Sequence, residues 1–233
     1  MWWLPPTQGV RKTARGLTAR TRVVLIVGKA MDATSPPNHP DWPRSLSTAA
    51  ALAQPWAGDA FRFGSFDYLQ PDEIVSGIGS ALHGARWNAA GSPPTLYASL
   101  SRPVASAECD ATAAYYGLAH LTRSPLVAVT LQVSLQAVLD LSTPKKQRAA
   151  GLDLGAALAE DWRKAVALGQ EAATQALGRA AREAGLEGLL VPSVQMPDGV
   201  NLVCFREKLR AGSTVGVWGA ETLWKVEARQ VRY

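Results

Sequence analysis

The segment HGARWNAAGSPPTLYASLSRPVASAE, residues 83–108, predicts a strand that is followed at once by a helix. The strand is TLYAS, residues 95–99, and the chain enters it from the turn-forming residues AAGSPP. The helix is expected to begin after Ser101, a favoured N-cap residue, with Pro103 in its first turn and Gly117 at its end.

Glu108 lies near the middle of this predicted helix. At helical spacing it shares a stripe with Val104, Ala111 and Tyr115. A carboxylate among apolar side chains is costly unless another group pairs with it. Two interpretations stay open from the pattern alone: Glu108 is a paired, functional carboxylate, or the helix is rotated and Glu108 is solvated.

The rest of the chain predicts an α+β fold in a single mixed domain, because strands flank helices with no βαβ alternation. Residues 154–184 are Ala-rich and predict two helices broken near Gly169, the second ended by Gly185. A short helix is predicted within SLSTAAALAQ, residues 45–54. Further strands are predicted at AFRFGSF (60–66), LVAVTLQV (126–133, with VLDLS as an extension), GLLVPS (188–193), NLVCF (201–205), TVGVW (214–218) and LWKVEARQVRY (223–233).

The composition indicates a protein without a membrane segment. The chain has 233 residues, 47% of them hydrophobic, and no apolar run approaches the roughly 18 residues that a membrane span needs. The two cysteines, Cys109 and Cys204, lie far apart and form no CxxC pattern. This usage is typical of a reducing compartment, so a cytoplasmic location is expected.

The positive charge is concentrated at the start of the chain. The first 30 residues hold six basic residues and no acidic one, and they contribute +6 to the net charge of +5, which leaves −1 for the remainder. This basic head allows three interpretations: a targeting segment, an electrostatic arm, or an accessory segment before a chain start at Met31. Residues 1–57, the head and a Pro/Ser/Ala-rich linker, are expected to be poorly ordered, and residues 58–233 to form the catalytic domain.

Several familiar motifs are absent. The three histidines form no HExxH motif or His–Cys cluster, so no metal is expected. GIGSALHG begins like a dinucleotide fingerprint, but Leu82 occupies the position of the third glycine. Neither a P-loop nor a G-x-S-x-G elbow occurs in the sequence.

Two blocks of the sequence resemble the RES domain family, which is named for an Arg, a Glu and a Ser. The first block is GARWNAAGSPPTLYASLSRPVASAE, and the second is DWRKAVALGQEAATQALGRAAREAGLEGLLVPSVQMPDGVNLVCF. They stand in the family's order, which makes the resemblance specific. Three positions depart from the family's usual pattern. Ala85 stands where the family has the second of two glycines before Arg86, and Phe63 stands where a Tyr or Val is common. The Asn-Pro pair that usually follows Asn201 is missing.

The resemblance implies a fold similar to ADP-ribosyltransferases of the diphtheria-toxin type, with a curved, largely antiparallel β core flanked by helices. It implies a toxin that cleaves NAD+ at the nicotinamide–ribose bond by hydrolysis or phosphorolysis, so that NAD+ is a substrate and no cofactor is needed. The implied partner is a helical, Xre-type antitoxin. A mono-ADP-ribosyltransferase that modifies a protein is the alternative within this fold.

The resemblance also implies the site residues. The expected catalytic residues are Glu108, Arg62 and Ser193, and the expected NAD-binding residues are Arg86, Tyr97, Asn88 and Phe63. Glu108 is assigned to the positive charge that develops on the ribose, as in glycoside hydrolysis. Two guanidiniums suit the diphosphate, and each charged hydrogen bond contributes about 1.5–3 kcal/mol, so losing either arginine should weaken binding by roughly one to two orders of magnitude. Tyr97 is assigned to the nicotinamide or ribose, and Ser193 to the nicotinamide amide or the acceptor.

A third interpretation is a non-enzymatic module that binds nucleic acid through the basic head. Nucleic-acid-binding proteins normally carry their basic patch on the folded body. Because the body here is close to neutral, the catalytic domain is not expected to bind nucleic acid.

Overall fold

The computed structural model describes residues 41–65, 70–115, 117 and 126–220. The basic head at residues 1–30 and the strand predicted at 223–233 lie outside the described residues. The helices are α1 (Trp42–Ala49), α2 (Pro71–Ser76), α3 (Ile78–His83), α4 (Arg102–Tyr115), α5 (Pro144–Ala149), α6 (Gly155–Ala159), α7 (Trp162–Ala167) and α8 (Ala173–Glu183). The strands are β1 (Gln54–Ser65), β2 (Thr95–Ser99), β3 (Leu126–Asp140), β4 (Gly188–Pro192), β5 (Val200–Phe205) and β6 (Thr214–Val217).

These strands form one sheet that closes on itself. The order is β1-β2-β5-β4-β3-β6, and β1 also pairs with β3. β3 therefore has β1 along one edge, with Gln54 opposite Val138, and both β6 and β4 along the other. Only the β3–β4 pair is parallel among the described strands. The predicted α+β class with a largely antiparallel core is confirmed.

Side chains of β2 alternate between two cores, because successive residues of a strand point to opposite faces. Leu96 and Ala98 join a cluster that includes Leu131 and Leu202. Tyr97 points the other way, into the cluster that holds residues of α1 and α8. All five residues of β2 are buried, so this short strand anchors helix α4, which comes shortly after it in the chain.

Helix α1 belongs to the folded body. Trp42, Leu46 and Ala49 are all buried in the cluster that includes Leu177 of α8. The Asp41 side chain accepts a hydrogen bond from the Arg44 amide and caps the helix. The described fold thus begins at residue 41, and residue 58, the predicted domain boundary, lies inside β1.

The helices agree with the sequence predictions at some positions and differ at others. α4 follows Ser101, whose hydroxyl accepts from the Val104 amide, as predicted. The Ala-rich region forms three helices, not two, because Asp161 caps a new helix, α7. Gly169 and Gly185 follow α7 and α8 with positive φ values of 75° and 76°. No helix in the described part of the chain is long and apolar enough to cross a membrane.

Candidate active site

A cavity of about 440 Å³ lies between α4, α7, the loop that carries Arg86, and strands β2, β4 and β5. This volume is within the range of small-molecule sites, about 300–1,000 Å³. Its charged lining residues are Arg86, Glu108 and Arg163. Its other lining residues are Trp87, Tyr97, Ala111, Thr112, Ala114, Tyr115, Trp162, Pro192, Val194, Gln195 and Asn201.

Glu108 is buried in this cavity, with 8% of its surface exposed. Its Oε1 accepts hydrogen bonds from the Ser193 hydroxyl at 2.7 Å and from the Asn201 amide at 2.7 Å. The Ser99 hydroxyl in turn donates to Asn201 Oδ1 at 2.7 Å. The carboxylate is therefore paired and oriented, and the solvated alternative is excluded.

Ser193 lies directly after β4 and orients Glu108 from there. Its hydroxyl oxygen accepts from the backbone amides of Gln195 at 3.1 Å and Met196 at 3.2 Å. These bonds fix the oxygen in its loop while it donates to Glu108. Ser193 thus contacts the carboxylate but is not among the residues that line the cavity.

Helix α8 positions the loop that carries Arg86. Gln175 Nε2 donates to the carbonyls of Ala85 at 2.9 Å and Asn88 at 3.2 Å. A Cβ at Gly178 would fall 2.0 Å from the Trp87 carbonyl oxygen. Only glycine allows this close contact of helix and loop, so the packing of α8 determines where the loop places Arg86.

Arg86 is partly buried at the cavity wall. Its Nη1 donates to the Leu158 carbonyl at 3.2 Å. Burial lowers the pKa of Arg86, and the nearby positive charge of Arg163 lowers it further, whereas the carboxylate of Glu108 raises it. The charges of Glu108 and Arg163 therefore both act on the guanidinium of Arg86.

Tyr97 and Asn88 hold the loop that carries Arg86 in place through hydrogen bonds. The Tyr97 hydroxyl donates to Asn88 Oδ1 at 2.7 Å and accepts from the Trp87 amide at 3.2 Å, and burial raises the pKa of Tyr97. Asn88 Nδ2 donates to the Ser80 carbonyl at 2.7 Å. Tyr97 lines the cavity, but Asn88 does not: it is 2% exposed and its amide is used within the protein.

Arg62 and Phe63 line a different cavity, of about 270 Å³, together with residues of α2 and α3. Arg62 Nη1 donates to the Tyr97 carbonyl at 2.9 Å, where β1 pairs with β2, and burial lowers the pKa of Arg62 to about 10. Phe63 packs against Ala105 and Cys109 of α4. The expected pair of guanidiniums, Arg62 with Arg86, is thus not brought together in one cavity.

The sequence patterns did not predict Arg163 or Asn201 as site residues. Arg163 lies over the Tyr115 ring at 4.1 Å and over the Trp162 ring at 4.7 Å. Asn201 lies opposite Ser99 in the β2–β5 pair. Neither position carries a local signal beyond its place in the second block of the RES resemblance, because both depend on contacts between distant segments. No group of three metal-ligating side chains occurs in the described ranges.

The chain is similar to known proteins in sequence and in fold. The model of the RES domain family matches residues 59–225. The NAD(+) phosphorylase MbcT of Mycobacterium tuberculosis and that of Mycobacterium bovis are each 30% identical over 144 residues, which is 60% of this chain and 71% of theirs. The crystal structure of the Mycobacterium tuberculosis MbcT–MbcA toxin–antitoxin complex is similar in fold, with a TM-score of 0.54 and 23% identity over 74% of this chain and 88% of that one.

Proposed function

The chain belongs to the RES domain family, and we propose that it is a toxin-like enzyme that cleaves NAD+ at the nicotinamide–ribose bond. The observation that carries the proposal is Glu108, a buried carboxylate held by two hydrogen bonds in a cavity of suitable size. The names of the mycobacterial relatives support the same reaction.

Glu108 suits this bond cleavage for a chemical reason. Nicotinamide leaves as a neutral molecule, so no strong general acid is required, and positive charge develops on the ribose. A fixed carboxylate stabilises the transition state, in which the ribose is positively charged, more than it stabilises the ground state. Within the described residues both hydrogen bonds to the Glu108 carboxylate fall on Oε1, so we assign Oε2 to the ribose.

The other predicted residues take roles around this carboxylate. Arg86 binds the diphosphate, and the ring of Tyr97 orients the nicotinamide ribose. Ser193 is a positioning residue that acts through Glu108. Arg62 and Asn88 act through Tyr97, by their hydrogen bonds to its carbonyl and its hydroxyl.

The acceptor is the next question, and phosphate is favoured because the relatives are named phosphorylases. In phosphorolysis a phosphate oxygen forms the new bond to the anomeric carbon as the bond to nicotinamide breaks. The products are nicotinamide and ADP-ribose-1″-phosphate. Water as acceptor would give ADP-ribose.

Product analysis tests this proposal. The purified full chain is incubated with NAD+ in the presence and in the absence of inorganic phosphate, and the products are separated by chromatography. We expect nicotinamide release in both cases or with phosphate alone, and ADP-ribose-1″-phosphate only with phosphate. Transfer of labelled ADP-ribose to a protein would instead identify a mono-ADP-ribosyltransferase, and unchanged NAD+ would contradict the proposal.

We further propose an antitoxin partner in the same cytoplasmic compartment, of the helical, Xre-like type. The toxin–antitoxin complex of the structural neighbour supports the first part of this proposal. A partner that inhibits by entering the cavity should compete with NAD+. A partner that inhibits without raising the KM for NAD+ would exclude this mode of inhibition.

A further inference from the structure

The charged residues that line the cavity form an unusual set: two guanidiniums, Arg86 and Arg163, and one carboxylate, Glu108. Two more carboxylates lie close by but are used at helix starts. Glu160 accepts from the Ala173 amide at 2.7 Å, and Asp161 accepts from the Lys164 amide at 3.1 Å. The residues that line the cavity therefore carry two positive charges and one negative charge, and Glu160 and Asp161 act on Arg86 from outside the lining.

Arg163 is held in a fixed orientation at the second residue of α7. Its guanidinium lies 4.1 Å from the Tyr115 ring and 4.7 Å from the Trp162 ring. Stacking of this kind uses the faces of the guanidinium, whereas its N–H donors lie in the plane, at the edge. Trp162 is 5% exposed and Tyr115 is 54% exposed, so Arg163 contacts one buried ring and one exposed ring.

Arg86 and Arg163 line the same cavity. Burial and the positive charge of Arg163 lower the pKa of Arg86, whereas the carboxylates of Glu108, Glu160 and Asp161 raise it. Like charges that share a partly buried site repel, and an anion bound between them removes that cost. A planar guanidinium is also the cation that best matches the oxygens of a phosphate group.

We propose that Arg163 is the second guanidinium of the substrate's diphosphate site, where it acts with Arg86. The inference rests on the proposed function, because it takes NAD+ as the substrate. NAD+ carries one positive charge on its nicotinamide and two negative charges on its diphosphate. The cavity offers the complementary set, with one carboxylate and two guanidiniums, and Arg163 takes the place that the sequence had assigned to Arg62.

The test compares Arg163→Gln with Arg163→Lys and with the control Arg148→Gln. Arg148 is an exposed residue of α5 that does not line the cavity, so its substitution removes the same charge at a distance. Binding of NAD+ is measured by calorimetry in proteins that also carry Glu108→Gln, which keeps an oxygen for Ser193 and Asn201 but removes the catalytic charge. Cleavage by proteins with an intact Glu108 is measured with NAD+ and with nicotinamide riboside, which has no phosphate.

We expect Arg163→Gln to raise the Kd and the KM for NAD+ by roughly 10- to 100-fold, the equivalent of one charged hydrogen bond, with kcat changed much less. Arg163→Lys should recover part of this loss, and Arg148→Gln should match the parent. Cleavage of nicotinamide riboside should stay within about threefold of the parent, because that substrate lacks the group that Arg163 binds. A purely structural role of Arg163 would affect both substrates alike.

Two results would overturn the inference: an unchanged Kd for NAD+ in Arg163→Gln, and an equal loss with both substrates. An unchanged Kd together with a raised KM for inorganic phosphate would assign Arg163 to the acceptor. In these cases the parent protein still cleaves NAD+, so the proposed function stands; if the parent neither binds nor cleaves NAD+, both fail.

Discussion

At the scale of single residues, the fold depends on buried charges whose hydrogen bonds are complete. Glu187 is fully buried and accepts bonds from the backbone amides of Gln136 and Ala137, the amide of Arg210 and the hydroxyl of Ser213. Burial raises the pKa of Glu187, but these four donors outweigh it and the net pKa is lowered. A lowered pKa means that the ionised form stabilises the folded state.

Glu187→Gln is expected to lower the free energy of unfolding at pH 7 by about 2–3 kcal/mol. The side-chain amide nitrogen of Gln is a hydrogen-bond donor, and it would face backbone amides that also donate. The contribution of Glu187 is present above the unfolded pKa, near 4.5, and is lost as the pH falls through the lower folded value. Urea unfolding of both proteins between pH 7 and acid measures this, and the difference should shrink on acidification. A difference that is constant with pH would contradict the ionised state.

Ser193→Ala tests the positioning role of its hydroxyl on Glu108. The variant should reduce kcat for NAD+ cleavage by about 10-fold, since one charge-assisted bond to the carboxylate is lost, with a small change in KM. Ser213→Ala is the control and should keep the parent kcat. It removes a hydroxyl that donates to Glu187 and not to Glu108. Equal kcat values in Ser193→Ala and the parent would exclude the positioning role.

At the scale of elements, the sequence predicted what local signals determine. The bounds of β2 and the start of α4 follow from a turn and an N-cap. The stripe on α4 left two interpretations of Glu108 open, and only the structure shows that its carboxylate is buried and paired. The alternation of β3 was also visible, and its extension to Asp140 joins it to β4. The location of Arg62 was not predictable, because it depends on which residues of β1 and β2 pair with each other.

Gly178→Ala is the sharpest test of how α8 supports the Arg86 loop. The new Cβ would lie 2.0 Å from the Trp87 carbonyl oxygen, so helix or loop must move, at a cost of about 1–3 kcal/mol in unfolding free energy. NAD+ cleavage should fall with it. Gly155→Ala in α6 is the matched control, since its Cβ meets only the Asp153 carboxylate, at 3.3 Å; equal stability of the two variants would contradict the close contact.

At the scale of the whole molecule, the closed sheet brings together residues that are far apart in sequence. Glu108 on α4, Ser193 after β4 and Asn201 on β5 meet because β2 and β4 both pair with β5. This long-range pairing is also why Asn201 was not predicted, because one sequence does not show which strands are neighbours. Arg163 was not predicted because its place depends on the contact of α7 with Tyr115 of α4.

The body of the protein is expected to need α1. A chain that starts at residue 58 lacks α1 and the first residues of β1, whereas a chain that starts at residue 41 keeps both. Loss of the buried Trp42 and Leu46 exposes the face of α8, so the shorter chain should be far less stable than the longer one in thermal unfolding. Equal melting temperatures would show that α1 is dispensable.

The central claim is that the buried carboxylate of Glu108 stabilises the charge that forms when NAD+ is cleaved. The most direct measurement is the kcat of nicotinamide release by Glu108→Gln, at saturating NAD+ and phosphate, beside the parent protein. We predict a fall of about 100-fold or more, with NAD+ binding retained. A variant that cleaves NAD+ as fast as the parent would contradict the account.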